Sequence, residues 1–252
     1  MEPLAETVVA PRSGRVFGLG ARPGFADCAP SGRARLDALA RWQQEAAYQH
    51  VEHIGLAADV AWVARRTRIT VSRWPRFAED LVVQTFCTGI GRMWVERRTI
   101  IARRDAASGN ADVEAVALWV HLDPQTRSPS PFTDAELEQY AGNDEHGRAV
   151  SSKLVHPRPL GVDETSDWTF RATDCDLAGH VNNAAYWQPL EEELLTRRGP
   201  ERATFDAEIE FRAPAQPGLT RVLADGDLGR GARRWIVGEG GELHASILLG
   251  GT

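Results

Sequence analysis

Lysine is almost absent: Lys153 is the one lysine among 29 Lys and Arg residues. Methionine occurs twice and cysteine three times in 252 residues. Cys28, Cys87 and Cys175 cannot all pair within the chain, which argues against a disulfide framework and for a reducing, cytoplasmic setting. No apolar run approaches the roughly 20 residues a membrane-spanning helix needs. Met1–Ala10 carries two acids and no basic segment, so no secretory leader is expected there. Net positive charge is missing too. At −6, the chain lacks the basic field of a general nucleic-acid binder.

What is present is ordinary globular material, 42% hydrophobic and 25% charged, enough for one large or two smaller domains. Thr7 to Gly20 reads as a strand with a turn. Arg35 to His53 reads as a helix, with Leu36, Leu39, Trp42, Ala46, Ala47 and Val51 near helical spacing. Strands are expected over Arg66 to Val71, Asp80 to Phe86, Met93 to Arg103 and Val113 to Leu122, with a turn at Asp105 to Asn110. Between Pro129 and Asp167 lies a polar, proline-bracketed connector. It holds a capping box, Thr133 to Glu136, for a short helix ending at Gly142.

The second half repeats the plan. A strand over Trp168 to Ala172 leads to a helix over Asn183 to Thr196. Strands over Thr204 to Arg212, Thr220 to Asp225, Arg234 to Val237 and Leu243 to Leu249 follow. Asp27, Cys28, Gly32 and Glu45 recur as Asp174, Cys175, Gly179 and Glu192, each 147 positions later. A duplicated unit accounts for both repetitions. Domains are expected at 1–132, serving as scaffold, and at 166–252, carrying the chemistry, joined by 133–165.

The densest polar cluster is Asp174 to Asn183, between a strand and a helix start. His180 can act as general base or position a water, and Asp176 can orient it or act itself. Asn182 and Asn183 can fix the loop or cap the helix. Unpaired backbone N–H groups at the helix start would stabilise an oxyanion. Glu192, two to three turns into the helix, is placed to point at the same crevice. At the same offset the first half has Ala29 for Asp176 and Arg33 for His180, so one reactive site per chain is expected.

Other clusters read as structure. Cys175 has its counterpart in Cys28, where no histidine follows, so packing rather than nucleophilic attack is expected. His50 and His53 lack a nearby third metal ligand. Gly18-Leu19-Gly20 does not have dinucleotide-binding spacing. Arginine pairs at Arg65-Arg66, Arg97-Arg98, Arg103-Arg104 and Arg233-Arg234 are expected on solvated strand faces, where one could form a local basic patch.

Asp176, His180, Val181, Asn182, Asn183 and Tyr186 form D-x-x-x-H-V-N-N-x-x-Y, which resembles the acyl-acyl carrier protein thioesterase family. Trp42 to Glu45, Trp62 to Arg66, Ser72 to Phe77 and Trp119 to Arg127 fit the same resemblance, which spans nearly the whole chain. It implies an α+β tandem (double) hotdog fold, antiparallel sheets each wrapped around a long helix. It implies hydrolysis of fatty acyl thioesters, with Asp176 and His180 catalytic, supported by Asn182, Asn183 and Glu192. Gly179, Val181, Tyr186 and Glu45 would contact substrate. No metal or other cofactor is implied, and the partner would be acyl carrier protein presenting a phosphopantetheine-linked acyl chain. The protein would be a cytoplasmic monomer or homodimer of lipid metabolism, with no nucleic-acid partner. Two departures stand out: Ala178 replaces an asparagine, and Pro214-Ala215 falls where the family has a Glu-Cys pair. An acyl-CoA thioesterase, or a catalytically silent acyl-thioester binder, remain open readings.

Overall fold

The computed structural model describes residues 16–55, 61–105, 111–141, 150–162 and 164–250. Residues 7–15 of the expected first strand, 106–110 of the expected turn, and Gly142 lie outside them.

Ten antiparallel strands form one sheet. The first half contributes β1 (Phe17–Ala21), α1 (Leu36–His53), β2 (Ala61–Val71), β3 (Leu81–Ile90), β4 (Trp94–Arg103) and β5 (Val113–Leu122). A short helix, α2 (Asp134–Ala141), opens the connector. The second half contributes β6 (Glu164–Phe170), α3 (Gln188–Thr196), β7 (Phe205–Phe211), β8 (Gly218–Asp225), β9 (Arg233–Gly238) and β10 (Leu243–Leu249).

Across the sheet the order is β1-β3-β4-β5-β2-β7-β10-β9-β8-β6. Read from either edge inward, both halves have the same connectivity: first strand, third, fourth, fifth, second. The inner edge of each half pairs with the other, from Arg66 opposite Glu210 to Val71 opposite Phe205. An isolated half would leave that edge unpaired, with open N–H and C=O groups. The expected sheet per half is therefore one continuous sheet. Arg68 clamps the seam, giving two hydrogen bonds of 2.7 Å to the Asp206 carboxylate.

Helix α1 follows its 3.6-residue period. Leu36, Leu39, Ala40, Gln43, Ala46, Ala47, His50 and Val51 are buried, and the alanines let it approach β1, β3 and β4 closely. Its first turn is stabilised from the other half: the Leu36 N–H donates to Glu191 Oε2 at 3.0 Å. Burial disfavours the Asp37 charge in the same turn. Arg35 and Arg41 outweigh it through hydrogen bonds and charge, holding the carboxyl below the usual aspartate range.

The second helix is shorter than its sequence suggests. Residues 185–187 close as a 3-10 turn, and α3 proper has nine residues. Pro189 lacks the N–H that an α-helical bond back to Ala185 requires.

One apolar core runs through both halves, from Leu36, Leu39 and Ile69 to Trp187, Ile209 and Ile247. The connector docks on the outer face of β7, where the N–H groups of Val155 and His156 donate to the buried Glu210 carboxylate at 2.5 and 3.0 Å. No helix of the described residues is long and apolar enough to cross a membrane.

Candidate active site

Between β6 and α3 the chain makes a tight, internally bonded loop. A 3-10 turn over Ala172–Asp174 is closed by the Arg171 N–H donating to Asp174 Oδ2 at 2.7 Å. Cys175 and Val181 bridge across the loop, and Asp176 N–H donates to the His180 carbonyl at 3.0 Å. Gly179 turns the tip at φ +75°, a left-handed conformation that costs other residues strain. An added Cβ there would meet nothing within 4 Å, so the backbone, not space, asks for glycine.

Asp176 is held at both oxygens. Oδ1 accepts the Ala178 N–H at 2.9 Å and Oδ2 accepts Asn182 Nδ2 at 3.1 Å. The other end of the Asn182 amide accepts the Ala184 N–H at 2.8 Å, and its own N–H donates to the Asp174 carbonyl at 2.8 Å. Asn182 thus ties the carboxylate to the start of the following helical segment. The His180 ring is half-buried, with no side-chain hydrogen bond among the described residues. Asp176 therefore shares a loop with His180 and is joined to it through the backbone, with no hydrogen bond between the two side chains among the described residues. Each carboxylate oxygen accepts one hydrogen bond, from Ala178 and from Asn182.

Asn183 lines a small cavity beneath α1 with Gln43, Thr67, Trp119 and Trp187. Gln43 Nε2 and Trp119 Nε1 are buried there without hydrogen-bond partners. In the sequence both stand within stretches of the family resemblance, with no role at the site expected of either. Their relation to Asn183 arises only because α1 of one half packs over the loop of the other.

Two residues expected at the substrate, Val181 and Tyr186, are buried in the core. Val181 is buried, its N–H donating to the Ala215 carbonyl at 3.0 Å. Tyr186 is buried between Phe170 and Phe211, and its hydroxyl accepts the Ala215 N–H at 2.8 Å. Burial pushes its phenol up to about 12, against the opposing effect of that hydrogen bond. Both hold the loop against the strand end at Ala215, beside the position where the Glu-Cys pair is replaced.

Glu192 does not reach the loop. It is exposed on α3, and its backbone carbonyl accepts the Thr196 hydroxyl. Glu45 is exposed on α1 and accepts from Gln49 at 2.7 Å. The inward-facing acid is Glu191, one residue earlier, because the 3-10 turn shifts the phase of α3.

The loop has a backbone twin in the first half. Gly24 N–H donates to Asp27 Oδ2, Cys28 bridges Ala34, Ala29 N–H donates to the Arg33 carbonyl, and Gly32 turns at φ +84°. Each feature lies 147 positions before its counterpart. The geometry is shared while the chemistry is not, since Ala29 and Arg33 stand where Asp176 and His180 do.

Other expectations are corrected. Arg97, Arg98 and Arg234 are buried, not solvated. Arg97 Nη2 lies 2.6 Å from His50 Nδ1, Arg98 pairs with Glu114, and Arg234 pairs with Glu193. Paired arginines on a strand point to opposite faces, and here both faces are covered. A possible metal-ligand cluster, His156, Glu208 and Glu210, brings its atoms within 4.8 Å. Arg212 and two backbone N–H groups already occupy the Glu210 carboxylate, and His156 meets Glu208 at 3.2 Å, so the cluster serves to anchor the connector.

A ten-stranded antiparallel sheet with α1 packed on β1, β3 and β4, and a polar loop between β6 and α3, is the frame of the site. The chain belongs to the acyl-ACP thioesterase family: the model of the family's N-terminal domain matches residues 24–140 and that of its C-terminal domain residues 158–222. An uncharacterized protein of Mycobacterium tuberculosis is 27% identical over 212 residues, covering 84% of this chain and 82% of that one. Oleoyl-acyl carrier protein thioesterase 2 of Arabidopsis thaliana is 25% identical over 201 residues, covering 69% of this chain and 53% of the plant protein. The acyl-ACP thioesterase of Bacteroides thetaiotaomicron has the same fold, with a TM-score of 0.72 at 18% identity over 93% of this chain and 96% of that one. The 12:0-ACP thioesterase of Umbellularia californica gives 0.70 at 18% over the same shares.

Proposed function

We propose that the protein hydrolyses fatty acyl thioesters borne on acyl carrier protein, and that its two halves are tandem hotdog units. The observation that carries this reading is the loop from Asp174 to Asn183. One copy of a duplicated loop carries a half-buried imidazole, a carboxylate and two amides, while its twin has lost them.

In this reading a water attacks the thioester carbonyl carbon. His180 takes the water proton, a C–O bond forms, and the C–S bond breaks. The proton passes to the departing pantetheine sulfur, leaving a thiol and a free fatty acid. Asp176 positions the water or, through Asn182, the loop. Asn183 and the adjoining backbone donate to the developing oxyanion. Gly179 keeps the tip clear for the pantetheine arm. The acyl chain lies between sheet and helix, and the first half supplies pocket wall. Residues 1–132 and 166–252 are the two units, with 133–165 as connector.

Thiol release from matched ladders of acyl carrier protein and acyl-CoA substrates tests this. Faster turnover on the carrier-bound chain supports the proposal. Faster turnover on acyl-CoA transfers it to that substrate, and absence of turnover on both leaves a binding module.

A further inference from the structure

The degenerate loop of the first half is not packed shut. With the C-terminal end of α3 it borders a cavity of about 250 Å³. Pro30, Ser31 and Arg33 line it, and these are the counterparts of Leu177, Ala178 and His180. A cavity thus borders the loop that lacks the acid–base residues.

Its charge is unbalanced. Arg33 is satisfied: Nη2 stands 2.8 Å from Glu191 Oε1, Nε stands 3.3 Å from Glu201 Oε2, and the guanidinium lies 4.3 Å over the Trp74 ring. Arg76 takes the other Glu201 oxygen at 3.1 Å. Arg197 and Arg202, which also line the cavity, have no ion-pair partner among the described residues. Arg202 Nε is buried without a hydrogen bond. Glu193, whose charge also acts on Arg202, is hydrogen-bonded by Arg234. Burial and then the neighbouring Arg197 lower the Arg202 pKa, against the opposing charge of Glu193. The rest of the lining is apolar, with Leu194, Leu195 and the Trp74 ring.

We infer that this cavity is a second, non-catalytic ligand site that takes an amphiphilic anion, with the carboxylate of an acyl chain between Arg197 and Arg202 and its first methylenes against Leu194 and Leu195. An anion there would supply the charge-assisted partner that Arg202 lacks. A bare phosphate would leave the apolar wall unused. The binding claim stands on the cavity itself. Its significance as a site for reaction product rests on the hydrolase reading.

Calorimetric titration of the purified chain with octanoate, 1-octanol and inorganic phosphate tests the inference. Octanoate is expected to saturate a site that 1-octanol and phosphate do not fill. Arg197→Ala/Arg202→Ala is expected to weaken that site at least tenfold. Leu195→Glu, a change at an exposed position, should do the same by placing a carboxylate at the mouth, and it guards against misfolding of the double variant. Octanoate binding unchanged in both variants, no saturable octanoate site, or phosphate displacing octanoate would each overturn the inference. Turnover assayed on the same preparation keeps the two readings apart. An inactive chain that binds octanoate through Arg202 overturns only the hydrolase proposal, and an active chain without the site overturns only this one.

Discussion

Arg33 and Glu191 form a buried ion pair between the halves, with Nη1 donating to Oε2 at 3.2 Å and Nη2 standing 2.8 Å from Oε1. The same carboxylate accepts the Leu36 N–H, so one side chain of α3 neutralises the degenerate loop and stabilises the start of α1. Removing one member of such a pair strands the other charge, which typically costs about 3–5 kcal/mol. Glu191→Leu is expected to destabilise the protein by that order in denaturant melts. The double variant Arg33→Met/Glu191→Leu is expected to recover most of the loss, because neither charge is then buried. A double variant as unstable as Glu191→Leu would show that the pair acts through something other than charge.

His180→Ala is expected to lower kcat by about a hundredfold or more, the usual range for a positioned acid–base group, with an unchanged melting temperature. Cys175→Ala is expected to retain most activity, since Cys28 fills the same place where there is no histidine. A dead Cys175→Ala beside an active His180→Ala would point to covalent catalysis.

Gly179→Ala is expected to cost roughly 1–2 kcal/mol, the penalty of a left-handed backbone for a residue with a Cβ. The added methyl meets open space, so strain is the whole effect. Gly179→Asn should cost less. Equal losses for alanine and asparagine would argue against backbone strain as the cause.

Tyr186→Phe leaves the buried Ala215 N–H unpaired, at a cost of about 1–3 kcal/mol. In the wild type, the tyrosine titrates near 12 in the fold and near 10 when unfolded. The folded state therefore holds its proton longer. Stability from Tyr186 is full below pH 10 and is lost as pH rises towards 12. Ultraviolet titration should show one of the three tyrosines ionising last, and Tyr186→Phe should remove that step and flatten the alkaline fall in stability.

Much of this was legible from residue order. Period 3.6 in α1 and the apolar runs of β5 and β10 mark their elements, because each buries a face with its own spacing. The 147-residue repeat of Asp-Cys and Gly marks two loops of one shape, because a left-handed glycine and an aspartate closing a 3-10 turn are local requirements. Arg33 in place of His180 in the twin shows without coordinates that one copy of the loop carries the histidine and the other does not.

Tertiary structure alone decided the rest. Helical spacing placed Glu192 near the crevice, but a 3-10 turn before Pro189 rotated Glu191 inward. Arginine pairs look solvent-facing in a strand pattern, yet Arg97, Arg98 and Arg234 are buried because elements distant in sequence cover both faces of the sheet. Gln43 comes to line one cavity with Asn183, and Arg33 reaches Glu191, through the packing of one half on the other. A local pattern records which face of an element is turned away from water. Which groups meet it there depends on long-range packing, and the ion pair and both cavities arise at that contact between halves.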